Sequence, residues 1–184
     1  MSGEARRALV VTVSDGVAAG QRDDRSGPAV EERLSELGFA VERRAVPDDV
    51  DAIAAAVGEG SPESALVVLT GGTGLTPRDV TPQALWQILD YEIPGFGEVM
   101  RAEGRRSTPF ASLSRSLAGV LERCLVVALP GSPRGALESL AAIESLLDHA
   151  LETLADVHEH PLATDAPAAH VSSQPSDTGP DETA

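Results

Sequence analysis

The chain has 184 residues, 42% of them apolar but only 3% aromatic, enough for one domain whose core is built from Ala, Val, Leu and Ile. Its 29 Asp and Glu against 14 basic residues give a formal charge of −15, the wrong sign for a nucleic-acid binder or for docking on an anionic membrane. Every basic residue is Arg, which excludes Schiff-base chemistry and a P-loop lysine, and the lone Cys124 excludes an internal disulfide or a cysteine-rich zinc site.

In chain order, the first expected element is a strand over Ala8 to Val13, an apolar run rich in β-branched residues. Val30, Leu34 and Leu37 then fall at helical spacing, with Gly38 as a stop. Phe39 to Val46 alternates apolar and polar residues, which suits a strand near the edge of a sheet. Val50, Ile53, Ala54 and Val57 define a second helix ahead of Gly58 and Gly60. Ala65 to Thr70 is a further buried strand. Leu85, Ile88 and Leu89 form a short helical face, with Thr81 expected as N-cap and Pro82 as the first helical residue.

Leu117 to Leu121 is a candidate extra strand, antiparallel to a strong strand at Leu125 to Leu129. The longest helix is expected from about Gly135 to about Val157, on the stripe Leu137, Leu140, Ile143, Leu147, Ala150, Leu151 and Leu154. Cys124 and Trp86 read as packing residues, and the four histidines as solvated. Strand alternating with helix predicts an α/β fold: a doubly wound, mostly parallel sheet in a three-layer αβα arrangement, with a hairpin near 117–129. Residues 1–160 form the expected domain. Residues 161–184, with four acidic residues and no basic one, form an expected disordered acidic tail. No signal peptide and no apolar run of about 18 residues is visible, so the chain reads as soluble and cytoplasmic.

In an open parallel sheet, ligands bind at the carboxyl ends of the strands. Four turns should meet on that rim. They are Ser14, Asp15 and Gly16 after the first strand, and Pro47, Asp48 and Asp49 after the second. The third strand runs into Thr70, Gly71, Gly72, Thr73 and Gly74, then Arg78 and Asp79. The last leads to Gly131, Ser132, Pro133 and Arg134. Glycine amides at 71, 72 and 74 can turn toward an oxyanion, and a helix starting at Ser132–Pro133 offers free N–H groups. Asp48 and Asp79 are placed to hold Mg²⁺ beside phosphates. Arg78, Arg134, Arg115 and Arg22 are candidate phosphate clamps. Each signal also has a plain structural reading. A glycine turn is often only a turn, Asp48 could cap the following helix, and Asp79 could be a turn residue ahead of Thr81.

Six motifs occur in order: VTVSDG (Val11 to Gly16), VPDD (Val46 to Asp49), TGGTGLTPRDVTPQA (Thr70 to Ala84), EIPGFGEVMR (Glu92 to Arg101), LSR (Leu113 to Arg115) and LPGSP (Leu129 to Pro133). With these the chain resembles the MogA/MoaB family of molybdenum-cofactor biosynthesis proteins, over about Ala8 to Val157. The resemblance implies a trimeric α/β protein that binds molybdopterin and Mg-ATP and transfers AMP to the terminal phosphate of molybdopterin, releasing pyrophosphate. It implies Asp48 and Asp79 as the essential carboxylates and as Mg²⁺ ligands. Ser14, Asp15, Thr70, Gly71, Gly72, Thr73, Gly74, Arg78, Ser114, Arg115, Gly131, Ser132 and Pro133 are implied on the ligand rim. Glu98 and Arg101 belong to a motif with no derived role. Contact with other proteins of the pathway is compatible with this reading. The alternative is a non-catalytic molybdopterin carrier or scaffold.

Overall fold

The computed structural model describes residues 5–155; the expected tail, and with it His158, His160 and His170, lies outside the described residues. Strand β1 (Arg7–Val13) leads through a short helix α1 (Asp15–Ala18) to α2 (Ser26–Glu36). Then come β2 (Ala40–Val46), α3 (Val50–Gly60), β3 (Leu66–Thr70) and α4 (Thr81–Ile88). The two-residue β4 (Tyr91–Glu92) precedes α5 (Pro94–Ser107), and β5 (Leu117–Leu121), β6 (Cys124–Leu129) and α6 (Pro133–Ala155) complete the fold. The six strands lie in the order β2-β1-β3-β6-β5-β4. β2, β1, β3 and β6 are parallel, and β5 is antiparallel to both β6 and β4. The expected hairpin at 117–129 is present, and the alternating strand is indeed an edge.

The period of two along each strand divides the core. Ala8, Val10, Leu66, Val68, Leu125 and Val127 face α2, α5 and α6, packing on Val30, Leu34, Phe96, Met100, Leu140 and Ile143. Leu9, Val11, Val67, Leu69, Val126 and Ala128 face α3 and α4, packing on Ile53, Val57, Ala84 and Leu85. This is the three-layer arrangement. Central strands buried on both faces read as unbroken apolar runs, whereas β2 is polar on one side. No helix among the described residues is long and apolar enough to cross a membrane.

Four local expectations need correction. Thr81 is not the cap of α4 but its first residue, and its buried hydroxyl donates to the Gly71 carbonyl (2.8 Å). Leu137 is exposed, and Ala136 and Ser139 take the buried side of α6 instead, because the buried stripe runs through Ala136, Leu140, Ile143, Leu147, Leu151 and Leu154 and position 137 falls about 100° off it. Trp86 is 54% exposed, on the outer side of an eight-residue helix whose inner side is Ala84 and Leu85. Helix α5 was not anticipated. Gly95, Gly97 and Gly104 weaken its helical pattern, yet Gly97 is required there: a Cβ would lie 2.8 Å from the Ser116 carbonyl. The glycine lets α5 approach the segment leading into β5.

Candidate functional site

The parallel strands end on one rim, and two cavities open there. The first, of about 780 Å³, is lined by Ser14, Arg22, Asp24, Asp48, Thr70, Gly71, Gly72, Asp79, Gly131 and Pro133, among others. The second, of about 590 Å³, is more apolar. Its walls include Thr73, Gly74, Leu75, Met100, Arg101, Phe110, Leu113, Ser114 and Ser132. Gly72, Asp79 and Gly131 line both. The partition between the cavities is therefore made by the turns after β3 and β6.

Those turns interlock. Gly71 and Gly72 have φ of +110° and +62°, in the left-handed region that favours glycine. The Thr70 hydroxyl donates to the Pro130 carbonyl (2.9 Å), and a Cβ on Gly131 would stand 3.1 Å from the Gly71 Cα. Ser132 caps α6 as expected, its Oγ accepting from the Gly135 N–H (3.2 Å). The glycine amides are less available than the sequence suggests. Gly71 N–H donates to the Leu129 carbonyl (3.3 Å), and Gly74 N–H is engaged with the Asp79 carboxylate. The N–H groups of Gly72 and Thr73 carry no hydrogen-bond partner among the described residues.

Both carboxylates singled out from the sequence line the first cavity. Asp48 does not cap α3; Asp49 does, accepting from the Ala52 N–H (3.0 Å). Asp48 instead forms a reciprocal pair with Asp15: Asp15 N–H donates to Asp48 Oδ2 (2.9 Å), and Asp48 N–H donates to Asp15 Oδ1 (3.0 Å). Asp79 Oδ2 accepts from the Thr76 N–H (2.8 Å) and hydroxyl (2.6 Å). Partial burial opposes ionisation of Asp79. The hydrogen bonds from Thr76 and Gly74 and the nearby Arg115 charge outweigh it, so the carboxyl is held below its ordinary range.

Asp15, Arg78, Arg115 and Arg134, expected as ligand contacts, stand outside both cavity walls. Asp15 is paired with Arg78, and that bond, followed by the Asp48 N–H, holds its carboxyl below the usual range. Arg78 is therefore a tie between turns rather than a free clamp. Arg115 is bonded to protein acceptors throughout. Arg134 pairs with Glu138 (2.7 Å). Of the unexplained motif residues, Arg101 lines the second cavity, while Glu98 is exposed and lines neither.

Of the loop before α2, only Arg22 is expected at the rim from the sequence; the structure adds Asp24 and its neighbours as a wall of the first cavity. Asp24 accepts from the Thr12 hydroxyl (2.8 Å) and the Gly27 N–H (2.9 Å), and Arg22 donates to Ser14 Oγ (2.7 Å). The available signal was an Asp three residues ahead of a glycine that starts a helix, where a Cβ would collide with both Asp24 and Thr12.

Residues 9–166 match the family model described as a probable molybdopterin binding domain. The chain is 42% identical over 149 residues to the molybdopterin adenylyltransferase of Pyrococcus furiosus, covering 78% of this chain and 88% of that protein. It is 43% identical over 152 residues to the molybdenum cofactor biosynthesis bifunctional protein of Synechococcus elongatus, covering 80% of this chain but spanning only about half (47%) of that relative's length. The crystal structure of the molybdopterin biosynthesis enzyme MoaB from Thermus thermophilus is similar at a TM-score of 0.77 and 42% identity, over 82% of this chain and 97% of that one.

Proposed function

The chain belongs to the molybdopterin-binding family that includes MogA and MoaB, and on that premise we propose that it acts in molybdenum-cofactor biosynthesis as a molybdopterin adenylyltransferase. The terminal phosphate of molybdopterin attacks the α-phosphorus of ATP, the bond to the β-phosphate oxygen breaks, and pyrophosphate leaves. The observation that carries this reading is the shared partition. A reaction that joins two phosphorylated substrates needs two compartments meeting at one anion-tolerant point, and Gly72, Asp79 and Gly131 line both cavities.

Chemistry distributes the substrates. The first cavity holds both catalytic carboxylates, which suits the triphosphate with its counter-ion. The second is lined by Leu75, Met100, Phe110 and Leu113 together with Ser114 and Arg101, which suits the pterin ring system with its polar edge. The Gly72 and Thr73 amides and the N-terminus of α6 supply fixed dipoles at the junction. A phosphate nucleophile is ionised at neutral pH, so no general base is required, and among the described residues no histidine lines either cavity.

Asp48 and Asp79 both line the first cavity, and a pair of carboxylates is chemistry that fits Mg²⁺, which takes few protein oxygens and completes its shell with phosphate and water. Asp48 and Asp79 would hold it, and when bound it would neutralise charge on the leaving pyrophosphate. The family resemblance adds a cytoplasmic homotrimer, for which the half-exposed Trp86 on α4 and Tyr91 on the edge strand β4 are suitable contact residues.

The test incubates the pure full-length chain with molybdopterin, ATP and Mg²⁺ and assays adenylylated pterin and pyrophosphate, with chelation as control. Formation of both, lost on chelation, supports the proposal. Tight pterin binding with no Mg-ATP binding and no product would make the chain a carrier or scaffold. Light scattering during chromatography reads the oligomer directly.

A further inference from the structure

The loop from Gly71 to Val80 carries Asp79 without regular structure. It is pinned at its base, where Thr81 N–H donates to the Gly72 carbonyl (3.0 Å) and the Thr81 hydroxyl to the Gly71 carbonyl. Within the loop Asp79 N–H bonds the Thr76 carbonyl (3.0 Å), but residues 75–78 are exposed. These local bonds make Thr76 and Asp79 a unit and do not attach that unit to the rest of the molecule.

Two arginines make the attachment: Arg78 at the loop tip pairs with Asp15, and Arg115 reaches the backbone on both flanks of the tip. It stands in the segment between α5 and β5, and its own N–H donates to the Thr73 carbonyl (2.9 Å). Its Nε donates to the Gly74 carbonyl (2.8 Å), its Nη2 to the Asp79 carbonyl, and its Nη1 to Gln83 Oε1 (3.2 Å) on α4. All three guanidinium nitrogens thus bind protein acceptors on both flanks of the loop tip. The base of this arm is itself held: Arg101 on α5 donates to the Ser116 carbonyl (2.8 Å), and a Cβ on Gly97 would come within 3.0 Å of both its terminal nitrogens, so the guanidinium lies flat on the helix. The path therefore runs from α5 through Arg101 to the 114–116 segment, and from Arg115 to the loop carrying Asp79.

We infer that Arg115 is a positioning residue, which holds Gly74 and Asp79 in the partition between the two cavities and does not bind substrate phosphate. A planar five-donor fork can bridge acceptors that lie apart, which a single ammonium cannot. A misplacement of a catalytic group by about 1 Å can cost on the order of 10²-fold in rate. The kinetic consequence rests on the adenylyl-transfer reading; the effect on the loop does not.

The test compares full-length wild type with Arg115→Gln and Arg115→Lys. In the ligand-free protein, the 15N order parameters of the Gly74 and Asp79 amides should fall from the rigid range of about 0.85 to below about 0.6 in both variants. In turnover, kcat should fall about 10- to 100-fold, with KM for molybdopterin and for ATP within threefold of wild type. In an Asp79→Asn background, Arg115→Gln should cost less than a further twofold. Unchanged order parameters at Gly74 and Asp79 overturn the inference, as does full activity of Arg115→Lys, which would make charge alone sufficient. A tenfold rise in KM at unchanged kcat also overturns it, by making Arg115 a direct ligand contact. If Arg115→Gln does not fold, Arg115→Lys carries the same readouts and expectations. A wild type that makes no adenylylated pterin would defeat the functional proposal while the order parameters of Gly74 and Asp79 still decide the role of Arg115.

Discussion

Replacing Asp79 by Asn separates the chemical role of this carboxylate from its structural one. The side chain keeps its shape, but one acceptor oxygen becomes an NH₂ donor. In wild type, Oδ2 accepts two bonds from Thr76, at 2.6 and 2.8 Å, and Gly74 N–H adds another. Bonds to an ionised acceptor contribute about 1.5–3 kcal/mol each, against about 0.5–1.5 for neutral ones. The Asn amide oxygen can still receive the Thr76 donors, so the two bonds together lose about 2–3 kcal/mol. For a domain near 150 residues that lowers Tm by roughly 4–12 °C, which leaves the fold intact at 25 °C. Loss of a fixed charge at the reacting phosphates should cost about 10²–10³ in kcat.

Differential scanning fluorimetry and a pyrophosphate-release assay on one preparation read both effects. The pH dependence supplies an independent check. Because the folded-state pKa of Asp79 is depressed, its contribution to stability is present above the ordinary carboxylate pKa and is lost as pH falls through the lower folded value. The Asn variant should lack that acid-sensitive component. Turnover within tenfold of wild type would refute the assignment of Asp79 to the chemistry, and a variant that unfolds at 25 °C would make the residue structural.

Neighbouring aspartates should behave oppositely: Asp48→Asn should abolish turnover at nearly unchanged Tm, whereas Asp49→Ala, which deletes the α3 cap, should cost about 0.5–2 kcal/mol in urea denaturation and leave kcat within twofold. Gly71→Ala places a side chain at φ +110° and against the Val13 carbonyl, and should destabilise by at least about 2 kcal/mol in the same titration. Burial pushes the Cys124 thiol up to about 12, so native protein should resist alkylation at pH 8 while urea-unfolded protein reacts within minutes, as intact-mass measurement will show.

Much of this protein is legible in local sequence. Apolar runs at Ala8, Ala65 and Leu125 mark strands buried on both faces, and the alternation after Phe39 marks an edge. Ser132–Pro133 marks a helix start, and the polar turns after four strands mark the rim where both cavities open. These features depend on residues within a few positions of one another, so periodicity and turn chemistry suffice to place them. Helix α5 escaped because Gly97 serves a contact with the Ser116 carbonyl, outside the helix, at the expense of helical pattern.

The destination of each side chain at the rim was decided by tertiary structure. Asp48 and Asp49 are adjacent in sequence, yet one faces a cavity beside Asp15, 33 residues away, and the other caps a helix. Arg78 and Arg115 carry the charge a phosphate would require, but Asp15 and the carbonyls of Gly74 and Asp79 claim them first. A guanidinium bonds whichever acceptors the fold brings within about 3 Å. Composition supplies the donors and strand order selects their partners, so only the assembled sheet determines which arginines remain free for a ligand.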